Sequence, residues 1–520
     1  MQHDYDFIIV GSGFGGSVSA LRLSEKGYRV LVIEKGRRWS PDQFPETNWN
    51  LRKWMWLPLF RFYGFFKMTI MQHVGILSGV GVGGGSLVYA NTLPRPEDSF
   101  FQSGSWKGLA DWKTELDPFY EEAERMLGAV ENPGLYDSDE ALKRVAGRYD
   151  KSDRFEPTRV AIFFGEPEQE VSDPYFDGAG PRRSGCNFCG SCMTGCRYNA
   201  KNTLDKNYLY LAEKNGVKVI PGHKAVRLQA LEGTEGKSGY TVVLKGSGNP
   251  LKRREKVTAG GVILAGGVLG TVRLLLNMKP RYMKEISNQV GAQIRTNNES
   301  LVLVHSKQKE KDFSKGVAIG SIFPPDKDTH LEAVRYGSGS GFWKMLGVPL
   351  THGRTVVGRV LKLIWKLITR PVPWLSIYFS KNFAKESVIL LFMQQIDSTL
   401  RFRRGFFNMR SVISTGPAPS AFMPLARKLA ETTSSEVDGT PFVMSTEALT
   451  GTPTTAHILG GCVIGRDQDE GVIDRDQRVF GYDNLYVCDG SAISANPGVN
   501  PALTITAMTE RVMSKIPHKK

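Results

Sequence analysis

The sequence Asp6-Phe-Ile-Ile-Val-Gly-Ser-Gly-Phe-Gly-Gly16 decides the fold of this 520-residue chain. An apolar strand runs into spaced glycines, and an amphipathic helical stretch follows. A second strand, Arg29–Glu34, ends in an acid eighteen residues beyond Gly16. Strand, glycine turn, helix, strand and acid in this order predict the first half of a Rossmann-like domain that binds a dinucleotide.

Each part of this motif has a physical role. Gly11 permits the tight turn, Gly13 lets the backbone approach a pyrophosphate, and Gly16 lets the helix pack against the strand. The helix N-terminus offers free N–H groups and a positive dipole end to the phosphates. Glu34 is at the position where a carboxylate accepts hydrogen bonds from a ribose.

Composition sets further bounds. A chain of 520 residues is too long for one core and predicts two domains. The net charge of +15 suits an anionic partner, either nucleic acid or an anionic membrane surface. The first strand starts almost at Met1, so we expect no signal peptide and a cytoplasmic protein. Uncharged apolar runs stay shorter than a membrane span.

A second glycine-rich run covers Gly79–Asn91 and repeats the dinucleotide spacing. It lacks the flanking strands of such a domain, so we expect its backbone to lie flat against a ring or a pyrophosphate. Residues 300–455 alternate strand-like runs with Gly and Pro, which predicts a largely antiparallel sheet. The chain therefore has the pattern of an α/β protein with a Rossmann-like domain and a second domain.

Four of the six cysteines follow the spacing Cys186-x2-Cys189-x2-Cys192-x3-Cys196. This is the ferredoxin spacing, except that Arg197 replaces the terminal proline, and it predicts an iron–sulfur cluster in a reducing compartment. Three cysteines on a [3Fe-4S] centre and four on a [4Fe-4S] centre are both compatible with it. A structural zinc site and metal-free reduced cysteines remain alternatives.

Two segments are rich in aromatic and basic residues. Residues 354–370 place apolar side chains at helical spacing, flanked by Arg359, Lys362, Lys366 and Arg370. This pattern predicts a helix lying on an anionic membrane surface, and the alternative is a helix packed on the sheet. Residues 51–77 are either a buried connection or a membrane-facing, substrate-access segment. Nucleic acid is disfavoured, because the basic residues here alternate with bulky aliphatics.

Five stretches together resemble the glucose–methanol–choline (GMC) flavin oxidoreductases. They are GSGFGG with Glu34, GVGGGSLV, VILAGGVLGTVRLLL, TTAHILGGC and NLYVCDGSAISANPGVNPALTITAMTER. The forms HILGGC and GVNPALTI are most similar to the cholesterol-oxidase branch. The resemblance implies FAD, bound covalently or noncovalently. It also implies an FAD domain from residues 1–110, 200–298 and 456–520, a cysteine-containing cap at 111–199, and a substrate domain at 299–455.

The resemblance also implies roles for individual residues. The implied cofactor contacts are Gly11, Gly13, Phe14, Gly15, Gly16, Glu34, Gly79, Gly83, Gly84, Gly85, Ser86, Tyr89, Asn91, Val226, Asp489, Gly490, Asn500 and Pro501. The family commonly has Val-Asn-Gly-Gly after the serine of the glycine run, where this chain has Val88-Tyr-Ala-Asn91. The flavin contacts of that stretch therefore do not carry over directly.

The implied catalytic residues are His457, Asn500 and Glu332. His457 would accept the proton of an alcohol, Asn500 would orient the hydroxyl, and flavin N5 would take the hydride. Sterol oxidases also isomerise a double bond with a carboxylate, for which Glu332 is the candidate. The alternative for Glu332 is a surface glutamate.

The sequence therefore predicts an FAD enzyme that oxidises a hydrophobic alcohol, a sterol or a long-chain alcohol, at a membrane surface. Electrons would leave through the iron–sulfur centre to a protein or quinone acceptor, which makes a dehydrogenase rather than an oxidase. One alternative is a flavin enzyme acting on a C=C bond. The other is a flavin and iron–sulfur electron-transfer protein without a substrate of its own.

Overall fold

The structure is a computed structural model that describes residues 2–231, 235–248, 254–351, 355–406, 408–414 and 418–520. The strands are β1 Tyr5–Val10, β2 Val30–Ile33, β3 Trp56–Leu57, β4 Phe62–Tyr63, β5 Phe66–Ile70, β6 Gly75–Gly79, β7 Ala129–Glu131, β8 Glu156–Pro157, β9 Arg159–Ala161, β10 Glu170–Val171, β11 Arg183–Ser184, β12 Lys218–Ile220, β13 His223–Ala230, β14 Tyr240–Gly246, β15 Glu255–Leu264, β16 Ser300–Ser306, β17 Ile319–Phe323, β18 Thr329–Val334, β19 Gly347–Pro349, β20 Ser387–Gln394, β21 Leu400–Arg404, β22 Met409–Ile413, β23 Gly439–Met444, β24 Thr454–Thr455 and β25 Leu485–Val487.

The α-helices are α1 Phe14–Glu25, α2 Leu51–Trp54, α3 Asp98–Phe101, α4 Trp112–Leu127, α5 Asp137–Arg148, α6 Tyr208–Lys214, α7 Gly267–Met278, α8 Val356–Thr369, α9 Pro371–Phe379, α10 Pro424–Glu436, α11 Ser445–Thr450 and α12 Ala502–Lys515. Short 3-10 helices cover Pro41–Gln43, Pro58–Phe60, Gly84–Leu87, Ser152–Arg154, Cys192–Thr194, Leu204–Lys206, Phe342–Leu346 and Gly490–Ala492.

The first sheet has the order β12-β2-β1-β15-β14-β13, and β25 pairs with the end of β15. The pairs β12–β2, β2–β1, β1–β15 and β15–β25 are parallel. The carboxyl ends of these strands therefore meet at one edge, where open α/β sheets bind ligands. The helices α1, α4, α6 and α12 pack against one another beside this sheet. This arrangement confirms the predicted Rossmann-like domain.

The second sheet has the order β19-β23-β16-β20-β18-β17-β8, with every neighbouring pair antiparallel. Because side chains alternate along a strand, the sheet has two different faces. One face packs with α5 and α10 in an apolar cluster that includes Val304, Leu331 and Leu390. The opposite face, with Leu303, Val334 and Leu391, faces the first domain. The predicted antiparallel second domain is confirmed.

The segment expected as a separate cap, residues 111–199, contributes to both layers. In α4, Tyr120 bonds Thr504 of α12 at 2.9 Å between the two hydroxyl oxygens. In α5, Asp139 accepts a hydrogen bond from Arg335 at 2.6 Å, which joins this helix to the end of the antiparallel sheet. The exact domain boundaries stay a prediction.

The aromatic segment 51–77 is divided between core and surface. Trp54, Phe65 and Phe66 are buried, whereas Leu59 and Phe60 are exposed. The alternative of a buried connection therefore describes part of this segment, and the membrane-facing, substrate-access alternative stays a prediction. The basic stretch from Gly248 to Lys256 predicts a turn from its sequence, but residues 249–253 lie outside the described residues. So does 354, the first residue of the predicted amphipathic stretch.

Candidate active site

One cavity of about 400 Å³ separates the two layers and joins two unlike halves. The first half lies at the carboxyl edge of the parallel strands and is lined by glycine turns and polar groups. The second half is apolar and lies against the antiparallel sheet. Its walls are formed by Phe66, Leu77, Leu301, Leu303, Ile319, Val334, Tyr336, Trp343, Ile389, Leu391 and Met444.

The turn between β1 and α1 shows why its glycines are required. A Cβ on Gly11 would lie 2.2 Å from the Ala265 oxygen, and one on Gly16 would lie 2.1 Å from the Gly11 oxygen. A Cβ on Gly13 would meet nothing within 4 Å, and Gly13 lines the cavity. The open space over Gly13 and the N-terminus of α1 therefore fit a pyrophosphate.

Glu34 directly follows β2 and lines the same half of the cavity. Its Oε2 accepts hydrogen bonds from the Ser12 backbone N–H at 3.2 Å and the Ser12 hydroxyl at 2.9 Å. Its Oε1 accepts from the Gly36 N–H at 2.8 Å. These donors hold the carboxylate at the cavity, where a ribose would lie. His223, Lys224 and Ala225 border this end, but Val226 is at a register shift of β13 and does not line the cavity.

The second glycine run contributes part of the wall. Gly79, Gly84, Gly85 and Tyr89 line the cavity, together with Phe14 and Gly15 from α1. Ser86 points away, since its hydroxyl donates to the Gly83 oxygen at 2.7 Å and accepts from the Leu204 N–H at 3.1 Å.

Asn91 departs from the expected contacts. It is fully buried with a φ of 70°, and its side-chain amide has no hydrogen-bond partner among the described residues. It does not line the cavity, and neither do Gly83 and Ser86.

The turn after β25 and the starts of α12 and α7 also line the cavity. Asp489 and Gly490 follow β25, and Asp489 accepts from the Thr271 hydroxyl at 2.5 Å and the Ser491 N–H at 2.8 Å. Burial raises the pKa of Asp489. Asn500 and Pro501 lie at the start of α12. The residues Gly266, Gly267 and Gly270 at the start of α7 also line the cavity, and the strand–glycine–helix pattern of this stretch was a signal for them.

A polar cluster lies where the two halves meet, and His457 is at its centre. The His457 Nδ1 is 2.6 Å from Oε1 of Glu299, a buried carboxylate that also accepts from the Thr455 hydroxyl and the Ala456 N–H. Since a carboxylate only accepts, Nδ1 carries the hydrogen and Nε2 is the acceptor of the neutral ring. No pattern in the sequence pointed to Glu299, which directly precedes β16 of the antiparallel sheet.

The same cluster has a distinctive charge balance. Burial disfavours the charged imidazole, but the Glu299 charge and hydrogen bond, helped by Glu332, outweigh burial and raise the pKa of His457 above its usual 6.5. The Asn500 Nδ2 is 3.4 Å from His457 Nε2. An imidazole with a raised pKa beside an amide is suited to take a proton from a hydroxyl.

Glu332 belongs to this cluster but not to the cavity wall. It is fully buried on β18, and its Oε2 lies 3.4 Å from Asn500 Nδ2. Its Oε1 lies 3.1 Å from His330 Nε2. The alternative of a surface glutamate is therefore wrong, because the strand is covered on both faces.

The four cysteines Cys186, Cys189, Cys192 and Cys196 are free and line one small cavity of about 20 Å³. Among the described residues, no group of three or more His, Cys, Asp or Glu side chains converges closely enough to hold a single metal ion. The Phe188 N–H donates to Cys186 Sγ at 3.4 Å. Burial disfavours the Cys196 thiolate, but the Lys206 charge and nearby backbone N–H groups outweigh burial and lower the pKa of Cys196.

The cysteine loop touches the main cavity. Met193, within the loop, lines that cavity. The buried Lys201 Nζ donates to the backbone oxygens of Leu87 at 3.2 Å, Tyr89 at 2.9 Å and Cys192 at 2.8 Å. One side chain therefore connects the cysteine loop to the glycine-rich wall of the cavity.

A parallel dinucleotide-binding sheet facing an antiparallel sheet across one half-polar, half-apolar cavity is the architecture of a two-domain oxidoreductase. Residues 179–278 and 390–509 match family profiles described as GMC oxidoreductase, and residues 9–49 match an NAD(P)-binding Rossmann-like domain. The chain belongs to the GMC oxidoreductases, as predicted.

Two relatives are similar over the whole chain. The cholesterol oxidase of Acinetobacter baumannii is 44% identical, covering 100% of this chain and 95% of the relative. The cholesterol oxidase of Mycobacterium tuberculosis is 43% identical, covering 100% of this chain and 92% of the relative. A more distant relative, the long-chain-alcohol oxidase FAO4B of Arabidopsis thaliana, is 23% identical, covering 98% of this chain and 67% of the relative. The crystal structure of pyridoxine 4-oxidase from Mesorbium loti shares the fold, with a TM-score of 0.61, 16% identity and 98% of both chains covered.

Proposed function

We propose that this protein oxidises the hydroxyl group of a sterol or another hydrophobic alcohol with FAD. The observation that carries the proposal is the continuous cavity, which joins a dinucleotide cradle to an apolar chamber and places His457 and Asn500 at the junction. The relatives named cholesterol oxidase and long-chain-alcohol oxidase support this substrate class.

FAD, when bound, supplies the acceptor for the hydride of the carbinol carbon. Gly13 and the start of α1 would hold its pyrophosphate, and Glu34 its ribose. The apolar wall holds the hydrocarbon body of the substrate and excludes water. His457 Nε2 accepts the hydroxyl proton, and Glu299 stabilises the imidazolium that forms.

Anaerobic titration with a sterol tests this proposal. Purified protein should contain FAD, and the sterol should bleach the flavin absorbance with formation of the ketone. The matched control is the same sterol with its hydroxyl group replaced by hydrogen, which should leave the flavin oxidised. Bleaching by that control would indicate chemistry at a C=C or C–C bond instead. A flavin that no alcohol reduces would favour the electron-transfer alternative.

We further propose that the four cysteines hold an iron–sulfur centre, which supplies one-electron transfer to a protein or quinone acceptor when bound. A cluster is held at its corners by thiolates, so its ligands need not converge on one point as they do around zinc. The support for the cluster is the spacing of the four cysteines, since the part of the chain that the structure describes holds no group of His, Cys, Asp and Glu side chains that could hold a metal ion. The lowered pKa of Cys196 suits anionic sulfur, whereas burial raises the pKa of Cys186, Cys189 and Cys192 in the absence of a metal.

Metal analysis of anaerobically purified protein tests the cysteine site. A cluster predicts about three or four irons per chain, lost in Cys189→Ser while FAD and sterol-dependent flavin reduction remain. Cys462→Ser, at a free cysteine outside the loop, is the matched control and should keep its iron. One zinc per chain, or no metal, would contradict the proposal. The enzyme would then be interpreted as an oxidase rather than a dehydrogenase.

We also propose that the protein docks on an anionic membrane surface through α8 and α9. Many apolar side chains of these helices are exposed, whereas Trp374 and Ile377 of α9 are buried in the apolar cluster that includes Trp343 of the cavity wall. No helix in the described parts of the chain has the length and apolar character to cross a bilayer. Docking at the surface would bring the apolar chamber to membrane-dissolved sterols.

A further inference from the structure

Two side chains with polar atoms belong to the wall of the apolar chamber, Tyr336 and Trp343. They are buried, with 7% and 5% of their surface exposed. Their rings are 6.2 Å apart between centroids and tilted by 51°. The other described members of this wall are hydrocarbon or thioether side chains, so the pair is the polar feature of an otherwise apolar surface.

The pair offers two hydrogens to a hydrogen-bond acceptor. Trp343 Nε1 is buried and has no hydrogen-bond partner among the described residues. The indole is the polar group that acts on the Tyr336 hydroxyl, and an indole N–H only donates, so it cannot take the hydroxyl hydrogen. Burial raises the pKa of Tyr336 more than the indole lowers it, so the hydroxyl keeps its hydrogen at neutral pH.

Tyr336 lies at the far end of the chamber from the polar cluster around His457. The Asn500 Nδ2 of that cluster is 3.4 Å from Oε2 of Glu332 on β18. Alternate residues of a strand share a face, and both Val334 and Tyr336 pack in the apolar cluster on the cavity side of the sheet. Four residues of extended chain span about 13 Å. An apolar stretch of this length therefore separates the donor pair from the reacting end of the cavity.

We propose that Tyr336 and Trp343 form a specificity site for a carbonyl oxygen at the end of the substrate remote from the reacting hydroxyl group. This inference rests on the proposed function, since an alcohol held at His457 sets the direction of the substrate. A carbonyl oxygen has two lone pairs and can accept from both donors. The substrate class is then a steroid alcohol with a ketone at its far end, rather than a sterol with an alkyl tail.

The free energy of the two donors explains this preference. An alkyl tail against Tyr336 and Trp343 would leave both hydrogens buried without an acceptor, which costs free energy. A ketone at the same place removes that cost. Sites that hydrogen-bond a substrate atom discriminate strongly against analogues that lack it, because the polar groups of the site are then unpaired.

The experiment compares two steroid alcohols in the FAD-loaded protein. One is dehydroepiandrosterone, which has a hydroxyl group at one end of its rings and a ketone at the other. The second is its deoxy analogue, in which CH₂ replaces that carbonyl group. We expect Tyr336→Phe to raise KM for the ketone-bearing alcohol by about three- to tenfold, the effect of one hydrogen bond, and to leave KM for the analogue unchanged. The value of kcat should stay the same, because Tyr336 lies far from the reacting carbon.

Two further variants complete the test. Trp343→Phe removes the other donor together with part of the wall, so KM should rise for both alcohols and more for the ketone-bearing one. Tyr149→Phe is the matched control, since it removes a hydroxyl near Thr432 on the opposite face of the antiparallel sheet, and it should leave the ratio of the two KM values unchanged.

The ratio of the two KM values separates the possible outcomes. A ratio that neither Tyr336→Phe nor Trp343→Phe changes would overturn the specificity site and leave the proposed function intact. A wild-type flavin that neither alcohol reduces would overturn the proposed function and this inference with it.

Discussion

At the scale of single residues, the free space around a glycine decides what its replacement does. A Cβ on Gly13 enters the open cavity, whereas a Cβ on Gly15 would lie 1.7 Å from the Cys488 backbone oxygen. We therefore expect Gly13→Ala to fold but to lose FAD, because its methyl group occupies the space of the pyrophosphate. Gly15→Ala should lose the fold as well.

Flavin content and circular dichroism of both variants, purified in parallel, check this pair. Gly13→Ala with a full complement of FAD would show that the pyrophosphate lies elsewhere. An equally well-folded Gly15→Ala would contradict the packing of α1 on the segment that follows β25.

His457 should set the acid limb of the pH profile. Alcohol oxidation needs the neutral imidazole, and Glu299 raises the pKa of His457 above 6.5. The rate should therefore fall as the pH drops through a value above 6.5. In Glu299→Gln the raising charge is lost while burial remains, so the limb should move to lower pH. His457→Ala should lower kcat by about 10²–10⁴-fold with FAD retained.

The profile of kcat/KM against pH, measured for wild type and Glu299→Gln, checks the assignment. A limb at the same pH in both proteins would mean that another group titrates. Unchanged turnover in His457→Ala would make His457 a packing residue.

Some residues of the site could be identified from the sequence, and others could not. Gly13 and Glu34 could be placed because their neighbours in the chain form the turn and the strand that position them. Glu299 could not, because its partner His457 is 158 residues away in the chain. Asn91 was expected at the cofactor, but it is buried away from the cavity, since no local pattern reports which way a loop side chain turns.

At the scale of secondary-structure elements, one ion pair joins α5 to the antiparallel sheet. The side chains of Asp139 and Arg335 are buried, and Ser321 and the Tyr136 N–H also donate to this carboxylate. Removing one partner leaves an uncompensated buried charge. Asp139→Ala should therefore destabilise the protein by about 3–5 kcal/mol.

Urea unfolding followed by tryptophan fluorescence measures this cost. The double variant Asp139→Ala/Arg335→Met removes both charges and should recover part of the loss. Lys307→Ala breaks an exposed pair with Asp438 and serves as the control, with a change below about 1 kcal/mol. A small effect of Asp139→Ala would mean that α5 is not held by this pair.

The spacing of apolar residues predicts whether a segment is a helix or a strand better than it predicts which face of that element is buried. The helical spacing over 354–370 predicts a helix, and α8 covers Val356–Thr369. The same pattern suggested that Arg359 and Lys366 face the membrane. Instead, Arg359 is buried and donates to the Ala448 oxygen at 2.9 Å, and Lys366 donates to the Leu350 oxygen at 2.6 Å. Periodicity defines two faces of a helix, but the rest of the fold decides which one is covered.

At the scale of the whole molecule, α8 and α9 form an outward-facing apolar surface. Its members are exposed by between 36% and 79%, and they are Val356, Val357, Leu361, Ile364, Trp365, Leu367, Ile368, Val372, Leu375, Tyr378 and Phe379. Soluble monomers rarely expose so many large apolar side chains together. The basic side chains of Lys362 and Arg370 are exposed beside them, and the proposed docking needs this combination of apolar and basic side chains for insertion and for attraction to anionic headgroups.

We expect the variant Leu361→Ser/Trp365→Ser/Ile368→Ser to bind anionic vesicles at least about tenfold more weakly than wild type. Each side chain contributes up to about 1.5–3 kcal/mol when it leaves water, so partial insertion of three of them is enough. Lys362→Gln/Arg370→Gln should weaken binding to anionic vesicles and make it less sensitive to salt, because about 1 kcal/mol is lost per basic residue. Vesicle sedimentation at low and high salt measures both.

The control for this surface is Ile413→Ser, an exposed apolar position on the β21–β22 hairpin, which should bind vesicles like wild type. Turnover of a detergent-solubilised sterol should be the same in all these variants, because the substitutions lie outside the cavity wall. Two outcomes contradict membrane docking. One is equal sedimentation of wild type and the triple variant. The other is a wild-type protein that does not bind vesicles and forms a dimer, while the triple variant stays monomeric. A second copy of the chain would then cover this surface.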